Sequence, residues 1–202
     1  MNRYEPVEGR GELTAIMGAE LLRGERVRLA RPSPEDAAAV ARWSHDMGYQ
    51  RDLRRGMVYP GEAAEFEGWF REMLEKQEGF PFSARRLEDD ALIGMVILNN
   101  LYWQARHATL VLAVDPVQHG RGYGTDITRV ILKYAFMEMN LHRVGLDVLA
   151  YNVAARRVYE KVGFTLEGTL REFVWRDGVY YDMHTMGILR HEWARLNGVV
   201  TG

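Results

Sequence analysis

The sequence predicts an α/β fold whose sheet is antiparallel in its first half, and three observations carry that prediction. Short apolar or alternating runs between Phe82 and Val114 are separated by turn residues rather than by helices. A strand, a glycine-rich turn and a long amphipathic helical stretch then follow one another directly. A second strand–helix pair and a β-hairpin close the pattern, giving the order β α α β β β α β α β β.

Val27-Arg28-Leu29 alternates after Gly24 and predicts the first strand. Ser33 is placed to cap a helix over Glu35 to Met47, with Pro34 at its first position. Gln50 to Gly61 reads as a basic loop. Phe66, Trp69, Phe70, Met73 and Leu74 recur at helical spacing, so Glu62 to Lys76 is expected to be a helix that Gly79-Phe80-Pro81 stops. Phe82 to Leu87 and Ala91 to Leu98 are expected strands around the acidic turn Glu88-Asp89-Asp90. His107 to Val114 is apolar on both faces and therefore central.

The long helix is expected over Thr125 to Met139. Ile127, Val130, Ile131, Tyr134 and Ala135 form one stripe, with Asp126, Arg129 and Lys133 on the other side. Arg143 to Ala150 alternates, with Leu146 and Val148 on one face and Asp147 on the opposite one. Asn152 caps a short helix to Val162, and Gly163 occupies the left-handed C-cap position. Arg176-Asp177-Gly178 is the turn of a hairpin between Glu172–Trp175 and Val179–Leu189.

The 202 residues fit one domain, expected over residues 23–196, with 1–22 as an N-terminal extension and 197–202 as a tail. A net charge of −2 provides no electrostatic footprint for nucleic acid. The chain has no cysteine, which excludes disulfides, thiolate metal sites and a cysteine nucleophile, and fits a cytoplasmic protein. No apolar run approaches the roughly 20 residues of a membrane span, and Met1 to Glu20 lacks the pattern of a signal peptide, so no membrane partner is expected. His107, His119, His142, His184 and His191 lack metal-site spacing, and no metal is expected.

The most informative stretch is Val114-Asp115-Pro116-Val117-Gln118-His119-Gly120-Arg121-Gly122-Tyr123-Gly124-Thr125-Asp126. A strand ends at a proline, glycines alternate, and a helix starts. The first amides of a helix have no internal partner, and with the positive end of the helix dipole they suit a phosphate or pyrophosphate. A glycine turn alone is equally a tight connection. A dinucleotide-binding βαβ unit is disfavoured by the antiparallel strands upstream, and a P-loop by the absence of Gly-Lys-Ser/Thr.

His119-Gly120-Arg121-Gly122-Tyr123-Gly124 resembles the acetyl-coenzyme A motif of the GNAT N-acetyltransferases, Gln/Arg-x-x-Gly-x-Gly/Ala. Tyr134-Ala135-Phe136, Leu141-His142-Arg143-Val144, Asn152-x-x-Ala155, Tyr159-Glu160-Lys161-Val162-Gly163-Phe164 and Glu167-Gly168-x-x-Arg171 are similar to the branch holding ribosomal-protein N-terminal acetyltransferases and spermidine acetyltransferases. The similarity is dense from Gly94 to Glu192, thinner from Gly24 to Leu92, and absent from residues 1–22. One departure is His119, where the family usually has Gln or Arg.

The resemblance implies a GNAT fold: a mixed, mostly antiparallel sheet flanked by helices, its fourth and fifth strands splayed to admit acetyl-coenzyme A. It implies acetyl transfer from that co-substrate to a primary amine, either a polypeptide N-terminus or a small molecule, by direct attack in a ternary complex. His119, Gly120, Arg121, Gly122, Tyr123, Gly124 and Thr125 would form the phosphate cradle. Val114 would offer backbone groups to pantetheine, Asn152 would cap its helix and contact pantetheine, and Lys161 would reach a phosphate.

Tyr159 would act as general acid beside the coenzyme sulfur, and Asp147 as base. Each has a plainer alternative: Tyr159 as a core tyrosine, Asp147 as a strand aspartate paired with an arginine, Lys161 as an exposed helix lysine. Arg51-Asp52-Leu53-Arg54-Arg55 falls where the resembling enzymes admit the acceptor. Its three arginines would disfavour a polycation and suit a carboxylate or phosphate. The aromatic hairpin around Trp175 and Tyr180-Tyr181 is expected to form a homodimer surface or a far wall of the acceptor site. The rival reading is a non-catalytic acyl-coenzyme A sensor.

Overall fold

The computed structural model describes residues 20–76 and 78–199. Most of the expected extension, and residues 200–202 of the tail, lie outside the described residues. The elements are β1 (Val27–Ala30), α1 (Pro34–Ser44), α2 (Met47–Leu53), α3 (Ala63–Glu75), β2 (Gly79–Arg86), β3 (Leu92–Tyr102) and β4 (His107–Val114). A 3₁₀ turn (Pro116–Gln118), α4 (Tyr123–Lys133), a π-helical turn (Tyr134–Glu138), β5 (Arg143–Leu149), α5 (Val153–Lys161), β6 (Thr165–Arg176), β7 (Val179–Leu189) and α6 (Arg190–Leu196) follow.

The seven strands form one sheet in the order β1-β2-β3-β4-β5-β7-β6. Every neighbouring pair is antiparallel except β4 and β5. Those two run parallel and pair only through His107↔Arg143, Ala108↔Val144 and Thr109↔Gly145. Beyond Thr109 they part, as the resemblance implied. Ile127, Ile131, Leu132 and Phe136, all fully buried, pack α4 and the π-helical turn into the main core with Val96, Leu98, Val144 and Leu146. Each such side chain contributes about 1.5–3 kcal/mol by leaving water. A second cluster joins Ala37 and Trp43 of α1, Tyr49 of α2 and Phe70 of α3 to Met95 of β3.

Local signals explain the element ends. Ser33 Oγ accepts from the Asp36 N–H at 3.4 Å while an Asp36 carboxylate oxygen accepts from the Ser33 N–H at 2.9 Å, a capping box. Asp36 also accepts from Ser83 Oγ at 2.7 Å and pairs with Arg85 at 2.6 Å, which ties α1 to β2. Asp177 and Gly178 take φ of 50° and 79°, the two positive values of a type I′ hairpin turn.

Four expectations need correction. Met47–Leu53 is a helix within the segment read as helix end and loop; Asp46 Oδ1 caps it, accepting from the Tyr49 N–H at 3.0 Å. Pro81 lies inside β2 rather than before it. It precedes the stretch Ser83–Arg86 that pairs with β1, and such an edge tolerates a residue without an N–H. The C-terminal helix α6 was not anticipated.

Asp126 is the fourth. It does not share the solvent side with Arg129 but is 5 % exposed. Its carboxylate accepts from the N–H groups of Glu25, Arg26 and Val27 at 3.2, 2.8 and 3.1 Å, anchoring the start of β1 to α4. Replacing Asp126 by alanine removes all three hydrogen bonds at once. The expected cost is about 3 kcal/mol, read as a lower urea midpoint at unchanged slope.

Candidate functional site

The cradle is built by the chain between β4 and α4. The Asp115 carboxylate accepts from the Val117 N–H at 3.1 Å and starts the 3₁₀ turn. Gly120 and Gly122 follow with φ of 75° and 83°, left-handed values at which a side chain would be strained. Gly122 is the N-cap of α4 and provides no side-chain cap. The Asp126 N–H is the first to reach back, to the Gly122 carbonyl at 3.2 Å. The amides of Tyr123, Gly124 and Thr125 therefore face outward, a ready anion site.

Gly124 leaves the gap between Leu112, Val114 and Val158 unfilled; a Cβ there would lie 3.7 Å from each. The cavity over this turn measures about 300 Å³, and Val114, Gln118, His119, Gly120, Gly122, Tyr123, Gly124, Thr125 and Asn152 line it. Gln118 Oε1 is buried there without a hydrogen-bond partner. Outward amides, two left-handed glycines and an unmet acceptor fit a phosphorylated, amide-rich co-substrate.

A second cavity, about 320 Å³, fills the gap where β4 and β5 part. Asn99, Thr109, Leu112, Asp147 and Val148 line it, and so do Arg54 and Arg55. The two cavities share Asp52, Leu53, Leu112, Asn152, Ala155 and Tyr159. Tyr159 is 7 % exposed, and its ring meets Phe164 edge-on at 5.8 Å. Burial alone pushes its phenol up to about 12. Asn152 caps α5 as expected, its Oδ1 accepting from the Ala155 N–H at 3.0 Å.

Several predicted residues sit differently. Asp147 faces the second cavity, but Arg55 holds one of its oxygens at 2.5 Å and Thr185 Oγ donates to the other at 2.9 Å. The imidazole of His119 donates to the Val114 carbonyl at 3.0 Å, occupying one of the backbone groups assigned to pantetheine. Arg121 does not line the cradle; its carbonyl accepts from Arg26 at 2.9 Å. Lys161 lines a separate hollow with Arg129 and Trp193 at the far end of α5, so its expected phosphate contact finds no support in its position.

The three arginines of the α2 segment are also committed. Arg51 grips Asp177 with two hydrogen bonds of 2.8 and 2.6 Å. Arg54 donates to Gln50 at 3.0 Å and stands 5.3 Å over the Tyr59 ring, and Arg55 holds Asp147. Two of the three, Arg51 and Arg55, therefore already hold a carboxylate of this chain. Trp175 and Tyr180 pack together at 4.7 Å while remaining more than half exposed.

Two residues on α2 were missed. Asp52 borders both cavities, and desolvation on that side raises its carboxyl, with Asp46 adding to the effect and His119 opposing it. Tyr49 lines the cradle; its hydroxyl is buried and unpartnered, and burial, then Asp115 and Asp46, pushes its phenol up. Tyr49, Asp52 and Leu53 stand at the i, i+3, i+4 spacing of one helix face, which is the signal that could have found them.

Comparison with known proteins names the class. The acetyltransferase (GNAT) domain family matches residues 26–165. The chain belongs to the GNAT acetyltransferase family: it is an N-acetyltransferase, and acetyl-coenzyme A is its co-substrate. It is 36% identical over 121 residues to the probable N-acetyltransferase YjcK of Bacillus subtilis, covering 59% of this chain and 67% of that one. It is 33% identical over 107 residues to the putative ribosomal N-acetyltransferase YdaF of the same organism, covering 53% and 58%. Its fold matches that of the Vibrio cholerae spermidine N-acetyltransferase in complex with CoA and spermine, at a TM-score of 0.76 and 24% identity over 83% of this chain and 97% of that one.

Gly122→Ala is expected to weaken coenzyme A binding about tenfold, because the left-handed turn that aims the amides becomes strained. Calorimetric titration measures it, and unchanged affinity would remove the cradle from the site.

Proposed function

We propose that the chain acetylates a primary amine by direct attack within a ternary complex, with Tyr159 donating to the leaving sulfur. The observation that carries this reading is the position of Tyr159 in the wall common to the main-chain cradle and the cavity of Asp147. A thioester bound through the cradle and reaching into the gap between β4 and β5 passes this phenol. The amine nitrogen forms a bond to the acetyl carbon, the carbon–sulfur bond breaks, and the nitrogen gives up a proton. Much of the rate comes from holding the two reactants together.

The phenol is a weaker acid at about 12 than an ordinary thiol near ~8.5. Its contribution is a hydrogen bond to the thiolate as charge develops there, and the sulfur completes its protonation from solvent. Tyr159→Phe is expected to lower kcat at least tenfold while coenzyme A affinity stays within twofold, measured by thiol release and calorimetry. Since the phenol ionises near 12, it stays protonated up to about pH 10, and the wild type is expected to show no decline below that from this group.

For the proton on nitrogen the first candidate is Asp147, which must then give up Arg55. A second reading assigns the proton to Asp52, because it borders both cavities and its carboxyl is already raised by desolvation. Asp147→Asn is expected to lower kcat/KM roughly 10²-fold. Near-normal kcat/KM in Asp147→Asn, with the same loss in Asp52→Asn, assigns the role to Asp52. Saturable coenzyme binding with no thiol release for any amine would instead leave a non-catalytic sensor.

A further inference from the structure

A third cavity, about 600 Å³, lies between α1, α2, α3 and the sheet. That size is far beyond a packing void and falls within the range of ligand sites. Its walls are Val40 of α1, Phe66, Trp69 and Phe70 of α3, Met95 of β3 and Val111 of β4. It is continuous in its lining with the reaction site. Tyr49 lines both this cavity and the cradle, Val111 lines both this cavity and the one holding Asp147, and Leu53 lines all three. Leu53 thus stands between this cavity and the one walled by Tyr159.

The charges along the wall decide what it can hold. They are Glu65 and Arg54. Glu65 is committed to capping α3, accepting from the Glu62 N–H at 3.1 Å. Arg54 is held over Tyr59 and by Gln50. A polyamine placed here would lose water from its distal ammonium groups against mostly apolar walls, with one carboxylate, Glu65, to meet them and a guanidinium nearby. An uncharged aryl or branched alkyl group would meet aromatic rings and aliphatic side chains.

We infer that the acceptor is a primary amine carried on an uncharged apolar body, that this body seats in the cavity beneath α1–α3, and that polyamines are poor acceptors. This rests on the acetyl-transfer reading above and specifies its substrate. The shared chemistry is an amine beside an apolar side chain, found in small aryl or alkyl amines and in peptides that begin with leucine or phenylalanine.

Thiol release is measured with acetyl-coenzyme A and phenethylamine, leucinamide, peptides beginning with Leu, Phe, Ser or Asp, and spermidine. The apolar amines are expected to exceed spermidine at least tenfold in kcat/KM, and comparison of the small amines with the Leu and Phe peptides separates the two sources. Ala113→Leu, which narrows the cavity from β4, is expected to raise the KM for phenethylamine at least fivefold. Binding is read separately, without turnover, as a change in tryptophan emission on adding phenethylamine to the coenzyme A complex, lost in Trp69→Phe. Spermidine equal to or better than the apolar amines overturns the inference and leaves acetyl transfer intact. A Trp69 response without turnover keeps the cavity and overturns the apolar amine as the acceptor. Neither response nor turnover overturns both.

Discussion

The molecule depends on the place where its sheet comes apart. β5 is fully engaged on its far side, pairing with β7 from Arg143↔Leu189 to Leu149↔Met183. β4 is equally engaged on the other side, with β3 as far as Gly94↔Val114. Between them three residue pairs hold the parallel seam. Each strand follows its outer neighbour, and the twist of the two half-sheets carries their C-terminal ends apart. Backbone groups of β4 beyond Thr109 that face β5 are left without a strand partner, and such groups demand one. An amide-rich chain bound there would satisfy that demand. The opening has the glycine turn at its mouth and Tyr159 in its wall.

The second constraint is α2, a helix too short to persist by itself. Its cap comes from Asp46, Tyr49 packs it against α1 and α3, and further support arrives from across the opening. Asp177 grips Arg51, Tyr151 donates to the Arg51 carbonyl at 2.8 Å, and Arg176 donates to the carbonyls of Arg54 and Gly56 at 2.8 and 3.1 Å. These contacts are largely exposed and individually weak. Together they bind the β6–β7 hairpin to the one helix that walls all three cavities. The hairpin therefore acts on the site through α2, without lining any of these cavities at its tip.

The sequence carried the cradle plainly, because glycine at a left-handed turn and an uncapped helix start are local properties of Gly120, Gly122 and Gly124. Asn152 and Ser33 were legible as caps and Asp177-Gly178 as a turn for the same reason. Asp126 was misread because periodicity sorts side chains by polarity, and a carboxylate that caps a strand start a hundred residues away looks identical to a solvated one. α2 was hidden because its single apolar face spans too few residues to show a period. Lys161 and the α2 arginines could not be placed from sequence because a side chain's reach, and the partner that claims it, are tertiary facts. Asp147 was found along with its plainer alternative, and the structure shows both the cavity and the arginine.

His119 shows why one departure from the family pattern is compatible with the rest. A cradle that holds its ligand by main-chain amides would spare the side chain at this position that task. Its ring is turned inward instead, bonding to Val114 on β4 and standing 6.3 Å from the Tyr49 ring on α2. It also bears on the Asp52 carboxyl, which it draws down against desolvation. One residue of the phosphate turn thereby touches the strand that lines the opening and the helix that walls the acceptor side.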